Sequence, residues 1–434
     1  MLGLYNALLP IARVVVRGLA PFHPKLRAGL AGRRGWRARY AALGAQHAGN
    51  VVWLHSTSVG EYEQARPLAE RIRSAYPDLV VFHTFFSPSG YEYARRLGEA
   101  THFDYVPEDA PGDVRTALDL LRPRVLVILK FDLWPNLVRE AHRRGIPVLL
   151  LDATLQPRSW RSRWPARALY RDLYRRLDTI SAVTVTDAER FRALVPAHPR
   201  IEVDGDTRFD QVLRRRQAVK RVALAAALAT RDRPFTLVAG STWPADEKVL
   251  LAAWTSTGMA EDARLLLVPH EPTPEHLAAL EASLARLGIG SRRYSEVEKQ
   301  ASPDAPVILV DRVGILAELY SLGDVAFIGG AFSTGVHNLL EPAALGLPVL
   351  FGPRHHNAPE ADLLLDSGGA GVIRSPADLA RWLVELRSDP ERRRTLGGRA
   401  RTSVEANLGA ADRCLERLLP HLGAPGSPVQ ETSP

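Results

Sequence analysis

The sequence predicts an α/β protein built from two doubly wound domains in tandem. Apolar segments of strand length alternate with helical patterns from residue 51 onward, and a second series of this kind begins at Pro234. The strands are almost continuously apolar, which is typical of parallel sheets covered by helices on both faces. A polar, Arg- and Ala-rich helical segment, 208–233, separates the two series. A chain of 434 residues is long enough for two such cores.

The strands of the first series are predicted at VVWLHS, LVVFHTFF, RVLVILKF, PVLLLDAT and AVTVT, and those of the second at FTLVAGST, RLLLVPH, PVILVD, DVAFIGG, PVLFG and AGVIR. The patterns between the first strands predict helices at Tyr62–Ala75, Pro111–Leu121 and Leu133–Arg144. Such alternation implies parallel sheets with right-handed crossovers. We therefore expect a ligand cleft between the two domains, where the carboxyl ends of their strands meet.

Four segments are predicted from these patterns. Residues 1–48 form a basic N-terminal arm, 49–215 the first domain and 216–420 the second domain, with a last helix able to pack back on the first. The Pro-, Gly- and Ser-rich tail, 421–434, is predicted to be disordered.

The net charge of +8 is concentrated at the N-terminus. Glu61 is the first acidic residue, and the residues before it contain eight Lys and Arg. The rest of the chain is balanced, with 48 basic and 48 acidic residues. A basic arm on a neutral body predicts attraction to a polyanionic surface.

The arm starts with an amphipathic pattern in which Arg13 and Arg17 share one stripe. Leu8, Ile11, Val15 and Leu19 lie opposite. Pro10 and the two arginines make a spanning helix unfavourable, so we predict a helix in the membrane interface, with residues 1–40 facing anionic lipids. A cleaved signal peptide and a helix packed on the protein's own core are the alternatives. Nucleic acid is not expected, because interleaved aromatic residues and a binding motif are missing.

Cysteine and histidine usage argues against metal or disulfide chemistry. Cys414 is the single cysteine, so an internal disulfide is excluded and a reducing compartment is favoured. The sequence has no Cys/His spacing of the kind that binds zinc, so neither a metal nor another cofactor is predicted.

In the second series, GGAFSTGVHNLLEP follows a strand and contains the glycines Gly329, Gly330 and Gly335. Glycines allow the backbone to approach a ligand closely. A helix predicted to begin near Val336–His337 would direct its N–H groups toward a phosphate. Glu341, one turn later, is suited to a ribose diol, although a glycine turn followed by an ordinary helical glutamate has the same pattern.

Two further strand ends of this half carry polar groups. AGSTWPADE offers Ser241 and Thr242 to a phosphate, but plain helix capping is the commoner role of Ser and Thr at such positions. LVPHEPTPEHL places His270 and Glu271 at the same edge, where a solvated loop pair is the alternative.

In the first half, Glu61 follows the strand VVWLHS through the turn TSVG. A carboxylate at this position is suited to act as a general base toward a sugar hydroxyl. Ser58 and Glu61 also have the S-x-x-E spacing of a capping box, and physics alone favours that interpretation.

Other strand ends repeat the arrangement: Ser87, Ser89 and Gly90 open a helix, Asp132 ends a strand before Trp134-Pro135-Asn136, and Arg208 follows a further strand. Together they place several polar groups of both charges at one sheet edge.

These motifs, in this order, resemble the 3-deoxy-D-manno-octulosonic acid (Kdo) transferases, which attach Kdo to the lipid A precursor. The matching motifs over roughly residues 1–410 are STSVGE, FFSPSGYEYARRL, FDLWPNL, GDTRFD, AGSTWPADE and GGAFSTGVHNLLEPAALGLPVLFGP. The last pattern occurs in many glycosyltransferases of the GT-B fold, whereas the combination of SVGE, FxSPSG and LWPNL is more specific.

The resemblance implies a GT-B fold of two Rossmann-like domains facing a cleft, CMP-Kdo as donor, inversion at the anomeric carbon and no required metal. It implies that Glu61 is the catalytic base and that Asp132 is a second important acid. Donor contacts are implied for Gly240, Ser241, Thr242, His270, Gly330, Gly335, His337, Asn338 and Glu341, and acceptor or Kdo contacts for Ser58, Gly60, Ser87, Ser89, Gly90 and Arg208. The implied acceptor is a phosphorylated lipid A precursor at the cytoplasmic face of the inner membrane.

Three positions depart from the family's pattern. Asp132 stands where a glutamate is common and Arg208 where a lysine is frequent, and both keep the charge. Pro269-His270-Glu271 replaces the common Pro-Arg-His, so the donor contact there is open. A GT-B enzyme acting on a UDP-sugar, a transferase or an epimerase, and a non-catalytic nucleotide- or glycan-binding membrane protein are the competing interpretations.

Overall fold

A computed structural model describes residues 1–99, 102–157, 159–218, 235–300 and 305–423. The chain forms two compact units. Unit 1 contains residues 1–211 together with the segment from Leu408 onward, and unit 2 contains residues 212–407. The basic arm therefore belongs to unit 1, and the change to unit 2 comes four residues before the boundary drawn from the sequence.

Unit 1 is organised around a parallel sheet of seven strands among the described residues, in the order β3-β2-β1-β4-β5-β6-β7. The strands are β1 (Val51–Ser56), β2 (Val80–Phe85), β3 (His102–Tyr105), β4 (Val125–Leu129), β5 (Val148–Ala153), β6 (Thr179–Ala182) and β7 (Ile201–Val203). The direction of winding reverses between β1 and β4, which makes that crevice the topological switch point of the unit.

The helices of unit 1 cover both faces of this sheet. They are α1 (Leu2–Leu19), α2 (Pro24–Gly32), α3 (Trp36–Gln46), α4 (Val59–Ala75), α5 (Pro88–Leu97), α6 (Pro111–Leu121), α7 (Pro135–Arg143), α8 (Ala166–Tyr174), α9 (Val185–Leu194) and α10 (Thr207–Ala218), which continues into unit 2. One core surrounds Trp53 of β1 and contains Tyr40 of α3, and a second core lies on the opposite face under α4.

Unit 2 has a second parallel sheet, in the order β10-β11-β9-β8-β12-β13-β14 over the described residues. Its strands are β8 (Phe235–Thr242), β9 (Ala263–Pro269), β10 (Ser291–Arg293), β11 (Val307–Leu309), β12 (Val325–Ile328), β13 (Val349–Phe351) and β14 (Ala370–Val372). Its switch point lies between β8 and β12. The prediction of two doubly wound parallel sheets is confirmed.

The helices of unit 2 complete its two outer layers. They are α11 (Pro244–Ser256), α12 (Pro274–Arg286), α13 (Tyr294–Gln300), α14 (Leu316–Tyr320), α15 (Leu340–Ala344), α16 (Pro359–Asp366), α17 (Pro376–Ser388) and α18 (Pro390–Glu405). The last helix, α19 (Ala410–Leu422), belongs to unit 1 and packs on α4.

Three element predictions are wrong. The segment AVTVT is not a strand: β6 ends at Ala182, and the Thr184 side chain accepts a hydrogen bond from Asp187 N and so starts α9. The helix expected near Val336–His337 begins only at Leu340. The predicted tail starts too early, because α19 continues to a buried Leu422. The tail from 424 and most of the segment 208–233, from 219 on, lie outside the described residues.

Helix α1 differs from its prediction in two respects. Pro10 does not interrupt it, and within the described residues the stretch Leu2–Phe22 is long and apolar enough to cross a membrane, as a signal sequence would also be. Arg13 does not face outward, because it forms ion pairs with Glu108 and Asp113 of the body. Arg17 stays exposed, and the large apolar side chains that α1 exposes are Leu4, Leu8, Ile11, Val14, Val15 and Leu19.

Candidate active site

Glu61 lies at the switch point of unit 1, in the first turn of α4, which directly follows β1. Glu61 is only 6 % exposed. Oε2 accepts a hydrogen bond from Ser58 N at 3.0 Å and a second, short one from the Ser58 hydroxyl. The capping interaction expected from the sequence is thus present, and it uses one carboxylate oxygen. Oε1 lies 3.7 Å from Lys130 Nζ and makes no hydrogen bond to the described residues.

Asp132 follows β4, the strand next to β1, and so enters the same crevice. Burial, with a smaller contribution from the negative charge of Glu61, raises the pKa of Asp132. The structure therefore brings together the two carboxylates that the sequence singled out. Lys130, which the sequence analysis missed, stands beside Glu61 and provides the compensating positive charge.

The start of α5 packs against the start of α4. Gly90 has no room for a side chain, because a Cβ atom there would lie 2.8 Å from the Phe85 ring and 3.2 Å from the Ser58 carbonyl carbon. Ser87 caps α5 by accepting a hydrogen bond from Ser89 N at 3.3 Å, and the two hydroxyls lie 2.8 Å apart. These hydroxyls and the exposed Gly60 border the edge that carries Glu61.

Arg208 reaches the same side of unit 1 from α10. Its guanidinium pairs with Asp206, at 2.8 Å from Nε and 2.7 Å from Nη2. Asp206 also accepts a hydrogen bond from Gln64, one turn after Glu61 on α4. The neighbouring Asp152 is fully buried, and burial together with the charge of Asp206 raises its pKa to about 8. The Asp152–Asp206 pair therefore holds a proton near neutral pH, which limits the negative charge buried there.

Residues with strained backbone conformations lie at the carboxyl ends of strands in both sheets. Among the described residues, the non-glycine residues with positive φ are Arg122, Lys130, Asp152 and Ser241. The last three lie at the carboxyl ends of β4, β5 and β8. Such conformations cost about 1–3 kcal/mol each and are found mostly at functional sites, so they support a functional role for these strand ends.

In unit 2, two loops meet at the switch point between β8 and β12. Gly329 lies so close to the first loop that a Cβ atom would be 2.3 Å from Ser241 O. Gly330 has φ +91°, and a Cβ atom there would be 2.2 Å from Gly335 O. A side chain at either position would push the loops apart, which explains the need for glycine.

Asp246, on the first turn of α11, holds the two loops together. It is fully buried, and its carboxylate accepts hydrogen bonds from Trp243 N at 2.9 Å, Gly330 N at 2.8 Å and Phe332 N at 3.2 Å. The first of these bonds caps α11, so Asp246 and not Ser241 or Thr242 is the capping group. The Thr242 hydroxyl donates instead to Glu247 at 3.0 Å.

Three rings form a stack beside these loops. His270 lies parallel to His337, with ring centres 4.3 Å apart, and Trp243 packs on His270 at 4.9 Å. Trp243 Nε1–H donates to His337 Nε2 at 3.0 Å, so this nitrogen carries no proton. Burial and the neighbouring His270 lower the pKa of His337. His337 is therefore neutral at pH 7, with its proton on Nδ1.

Replacing Trp243 by Phe tests this arrangement. The ring stays but the donor to Nε2 is lost, so we expect the pKa of His337 to rise and its tautomers to mix. Histidine-selective NMR across a pH titration measures both, with the His337→Gln spectrum identifying the signal. Trp382→Phe, at a half-buried position elsewhere in unit 2, is the control. An unchanged His337 titration in Trp243→Phe would contradict the assignment.

The remaining predicted donor residues lie at the start of the short helix α15. Asn338 Oδ1 accepts a hydrogen bond from Leu340 N at 3.0 Å, which occupies that oxygen. Glu341 forms a short ion pair with Arg215. A ribose diol at Glu341 would have to share or replace this arginine. Gly240, under the same loops, touches Tyr320: a Cβ atom would be 2.0 Å from its hydroxyl.

The sequence analysis missed Lys130, Trp243 and Asp246. The T-W-P-A-D stretch resembles the spacing of a capping motif and is the signal that identifies Asp246. Lys130 ends an apolar strand run, where a charged residue is a signal for a site. Within the described ranges, no group of three or more His, Cys, Asp and Glu is arranged to hold a metal ion.

The chain is similar in sequence and in fold to known proteins. A family model described as 3-deoxy-D-manno-octulosonic-acid transferase (kdotransferase) matches residues 34–211. A 3-deoxy-D-manno-octulosonic acid transferase of Bordetella pertussis is 30 % identical over 403 residues, 89 % of this chain and 91 % of that protein. One of Haemophilus influenzae is 28 % identical over 375 residues, 86 % and 87 % of the two chains. A UDP-GlcNAc 2-epimerase from Neisseria meningitidis, solved with UDP-GlcNAc, superposes with a TM-score of 0.63 at 15 % identity, covering 85 % of this chain and 100 % of that one.

Two doubly wound parallel sheets, each with polar groups at its switch point, are the architecture of the GT-B fold. The epimerase shows that UDP-sugar enzymes share this fold, so the fold leaves the reaction open. The sequence relatives decide it: the chain belongs to the 3-deoxy-D-manno-octulosonic acid transferase family and is a glycosyltransferase.

Proposed function

We propose that this enzyme transfers Kdo from CMP-Kdo to a hydroxyl of a phosphorylated lipid A precursor of the lipid IVA type, with inversion at the anomeric carbon. The observation that carries the proposal is the environment of Glu61. One oxygen is fixed by Ser58, and the other lies 3.7 Å from Lys130 Nζ and accepts no hydrogen bond from the described residues. A fixed carboxylate with one oxygen available for a proton is what a general base requires.

The proposed reaction is a direct displacement. The acceptor hydroxyl oxygen forms a bond to the anomeric carbon of Kdo while the bond from that carbon to the CMP phosphate oxygen breaks. The electron pair of the broken bond leaves with CMP, and Glu61 Oε1 takes the proton of the attacking hydroxyl. Asp132 lies in the same crevice, where burial and the charge of Glu61 raise its pKa.

We assign donor binding to unit 2. The Ser241 hydroxyl and Nδ1–H of His337 are the donors available for the CMP phosphate. The backbone N–H groups of Gly330 and Gly335 already donate within the protein, so these glycines are assigned to the close approach of the loop. A neutral donor such as His337 binds phosphate at pH 7 without titrating. Thr242, Asn338 and Glu341 have partners within the protein, so we assign them to shaping the loops and, for Glu341, to the ribose.

We assign acceptor and Kdo binding to unit 1. Ser87 and Ser89 present hydroxyls beside Ser58, while Gly60 and Gly90 have no side chains that would block access to this edge of the sheet. Arg208 supplies positive charge for the Kdo carboxylate or an acceptor phosphate, although Asp206 already engages it.

Attachment to the cytoplasmic face of the inner membrane is part of the proposal, through residues 1–40. Helix α1 is tied to the body on its polar side: Tyr5 donates to Asp109 at 2.9 Å, and Asn136 donates to Asn6 at 2.7 Å. Its exposed apolar side is therefore free to enter the interface. The sequence prediction turned Arg13 and Arg17 toward the lipid; Arg13 pairs instead with Glu108 and Asp113, while Arg17 remains exposed.

Nucleotide preference separates this proposal from a UDP-sugar enzyme. At a hundredfold excess over its Kd, CMP should stabilise unit 2 by about 2.7 kcal/mol, which raises the unfolding midpoint by roughly 5–10 °C. UDP at the same concentration should leave it unchanged. Differential scanning fluorimetry measures both.

A second experiment tests transfer itself. The full chain is incubated with CMP-Kdo and a lipid A precursor, and the products are weighed by mass spectrometry. We expect a mass increase of one or more Kdo groups and release of CMP. Protection by UDP alone would contradict the donor assignment, and no product despite CMP protection would favour a non-catalytic binding protein.

A further inference from the structure

The segment Ser159–Pro165, here called the aromatic loop, exposes two tryptophans. Trp164 is 88 % exposed and Trp160 is 59 % exposed. Exposed indoles in a folded protein are costly unless a partner covers them, and such patches mark interaction surfaces. The aromatic loop lies between β5 and α8, and its chemistry is not used by the reaction proposed above.

The segment that contains the aromatic loop carries basic residues and no acidic ones. Residues 153–171 contain five arginines and neither Asp nor Glu. Arg163, Arg167 and Arg171 are exposed, and none of them pairs with a carboxylate among the described residues. Arg167 and Arg171 are one helical turn apart, so they extend the charge of the loop along one stripe of α8.

The aromatic loop is ordered by its own contacts. Ser162 N donates to Ser159 O at 3.0 Å and Arg163 N to Trp160 O at 3.1 Å, which close a tight turn. The Trp160 ring packs edge-on against Tyr170 at 5.1 Å. Arg161 lies over the Phe131 ring at 4.4 Å. The turn holds the Trp160 indole against Tyr170 and leaves the Trp164 indole in solvent. An ordered turn of this kind is suited to inserting an indole into an apolar partner or layer.

These contacts locate the aromatic loop between α1 and the candidate base. Tyr170 lies near Tyr5 of α1. Burial and the charge of Asp109 are the main causes of the raised pKa of Tyr5, and Tyr170 is close enough to add a smaller electrostatic contribution. Phe131, on the other side of Arg161, is adjacent to Asp132 in the chain. The aromatic loop and the apolar side of α1 therefore belong to one region of unit 1, beside the edge that carries Glu61.

We propose that the aromatic loop and the stripe of Arg163, Arg167 and Arg171 form a second membrane contact that binds anionic phospholipid. Tryptophan partitions to the boundary between head groups and acyl chains, and arginine binds the head-group phosphates. The combination of indoles and unpaired guanidinium groups fits this surface better than an apolar protein partner. The inference extends the membrane attachment proposed above, but it does not depend on catalysis.

The test uses the full chain and vesicles of phosphatidylethanolamine with phosphatidylglycerol, compared with phosphatidylcholine alone. Trp164→Ser should weaken sedimentation with the anionic vesicles about tenfold, as expected for losing one buried large apolar side chain. Arg163→Gln with Arg167→Gln should weaken it at least about tenfold, at about fivefold per charge, and the effect should shrink at high salt. Val313→Ser, at a 69 % exposed position of unit 2, is the matched control.

Quenching by brominated lipid provides a direct readout. The wild-type chain should lose tryptophan emission on anionic vesicles, and a variant with both Trp160→Phe and Trp164→Phe should lose much less, since Trp53 and Trp254 are fully buried. Full binding and full quenching in the variants would overturn the proposal, as would an oligomer in solution that Trp164→Ser dissociates. Protection by CMP reports folding in every variant. Inactive enzyme with normal vesicle binding would contradict the proposed reaction and leave this inference standing.

Discussion

Glu61→Gln should lower the rate of Kdo transfer by about 10²–10⁴, the usual contribution of a general base. Gln keeps the oxygen that accepts from Ser58 N, and glutamine is an accepted partner in this capping position. The helix start is therefore retained while the basic group is removed. The substitution separates the two roles that the sequence alone left in competition.

Three measurements distinguish loss of the base from loss of structure. Initial rates are followed by product mass, CMP binding by fluorimetry and stability by urea unfolding. We expect CMP affinity to be unchanged and the free energy of unfolding to change by less than about 1 kcal/mol, because the interaction with Lys130 is long and partly exposed. Glu92→Gln, an exposed glutamate of α5 that pairs with Arg95, is the control. Wild-type activity in Glu61→Gln would show that the base is another group.

Asp246→Ala should be the most destabilising change in unit 2. The substitution removes the acceptor of three backbone N–H groups, those of Trp243, Gly330 and Phe332. The bonds from Gly330 and Trp243 are the shorter ones. Each orphaned buried donor costs about 1–3 kcal/mol, so we expect a loss of about 3–5 kcal/mol. The corresponding fall in the unfolding midpoint is roughly 10 °C for a unit of this size.

The same variant should lose protection by CMP, since the two loops assigned to the donor are no longer tied together. Asp262→Ala is the matched control: Asp262 is a surface residue that pairs with Arg387 at 2.8 Å, so its removal should cost less than about 1 kcal/mol. If Asp246→Ala unfolds at the temperature of Asp262→Ala and binds CMP, the loops are held by other contacts.

The fold was predictable because the strands carry their own signal. The strands Val51–Ser56 and Ala263–Pro269 are buried throughout and contain continuous apolar runs at 51–54 and 265–268, as is typical of strands covered on both faces. The failures occurred where a local contact overrides a pattern. The β-branched run at Val183–Thr186 suggested a strand, but the Thr184 cap turns it into a helix start. The tail prediction followed from composition, which did not reveal that Leu422 is buried.

The position of Glu61 and Asp132 at one crevice was predictable from the sequence, but the contacts around them were not. Strand ends identified Glu61 and Asp132, because a switch point collects such residues whatever the loops do. The pairing of Glu61 with Lys130, and of Glu341 with Arg215, joins residues 69 and 126 positions apart. Periodicity carries no signal for contacts of that length. The outward face of α1 was wrong for the same reason, since Asp113, which pairs with Arg13, is 100 positions away.

Helix α19 has a consequence for how the chain is made. Cys414, Leu418 and Leu422 complete the core that also contains Val52 and Leu54 of β1, although the whole of unit 2 separates them from β1 in the chain. Unit 2 emerges from the ribosome in between, whereas the core that α19 shares with α4 stays incomplete until α19 has been made. Until then the nascent chain exposes part of an apolar face, a state that chaperones protect. A chain cut short before α19 would keep the residues of unit 2 and leave this core of unit 1 open.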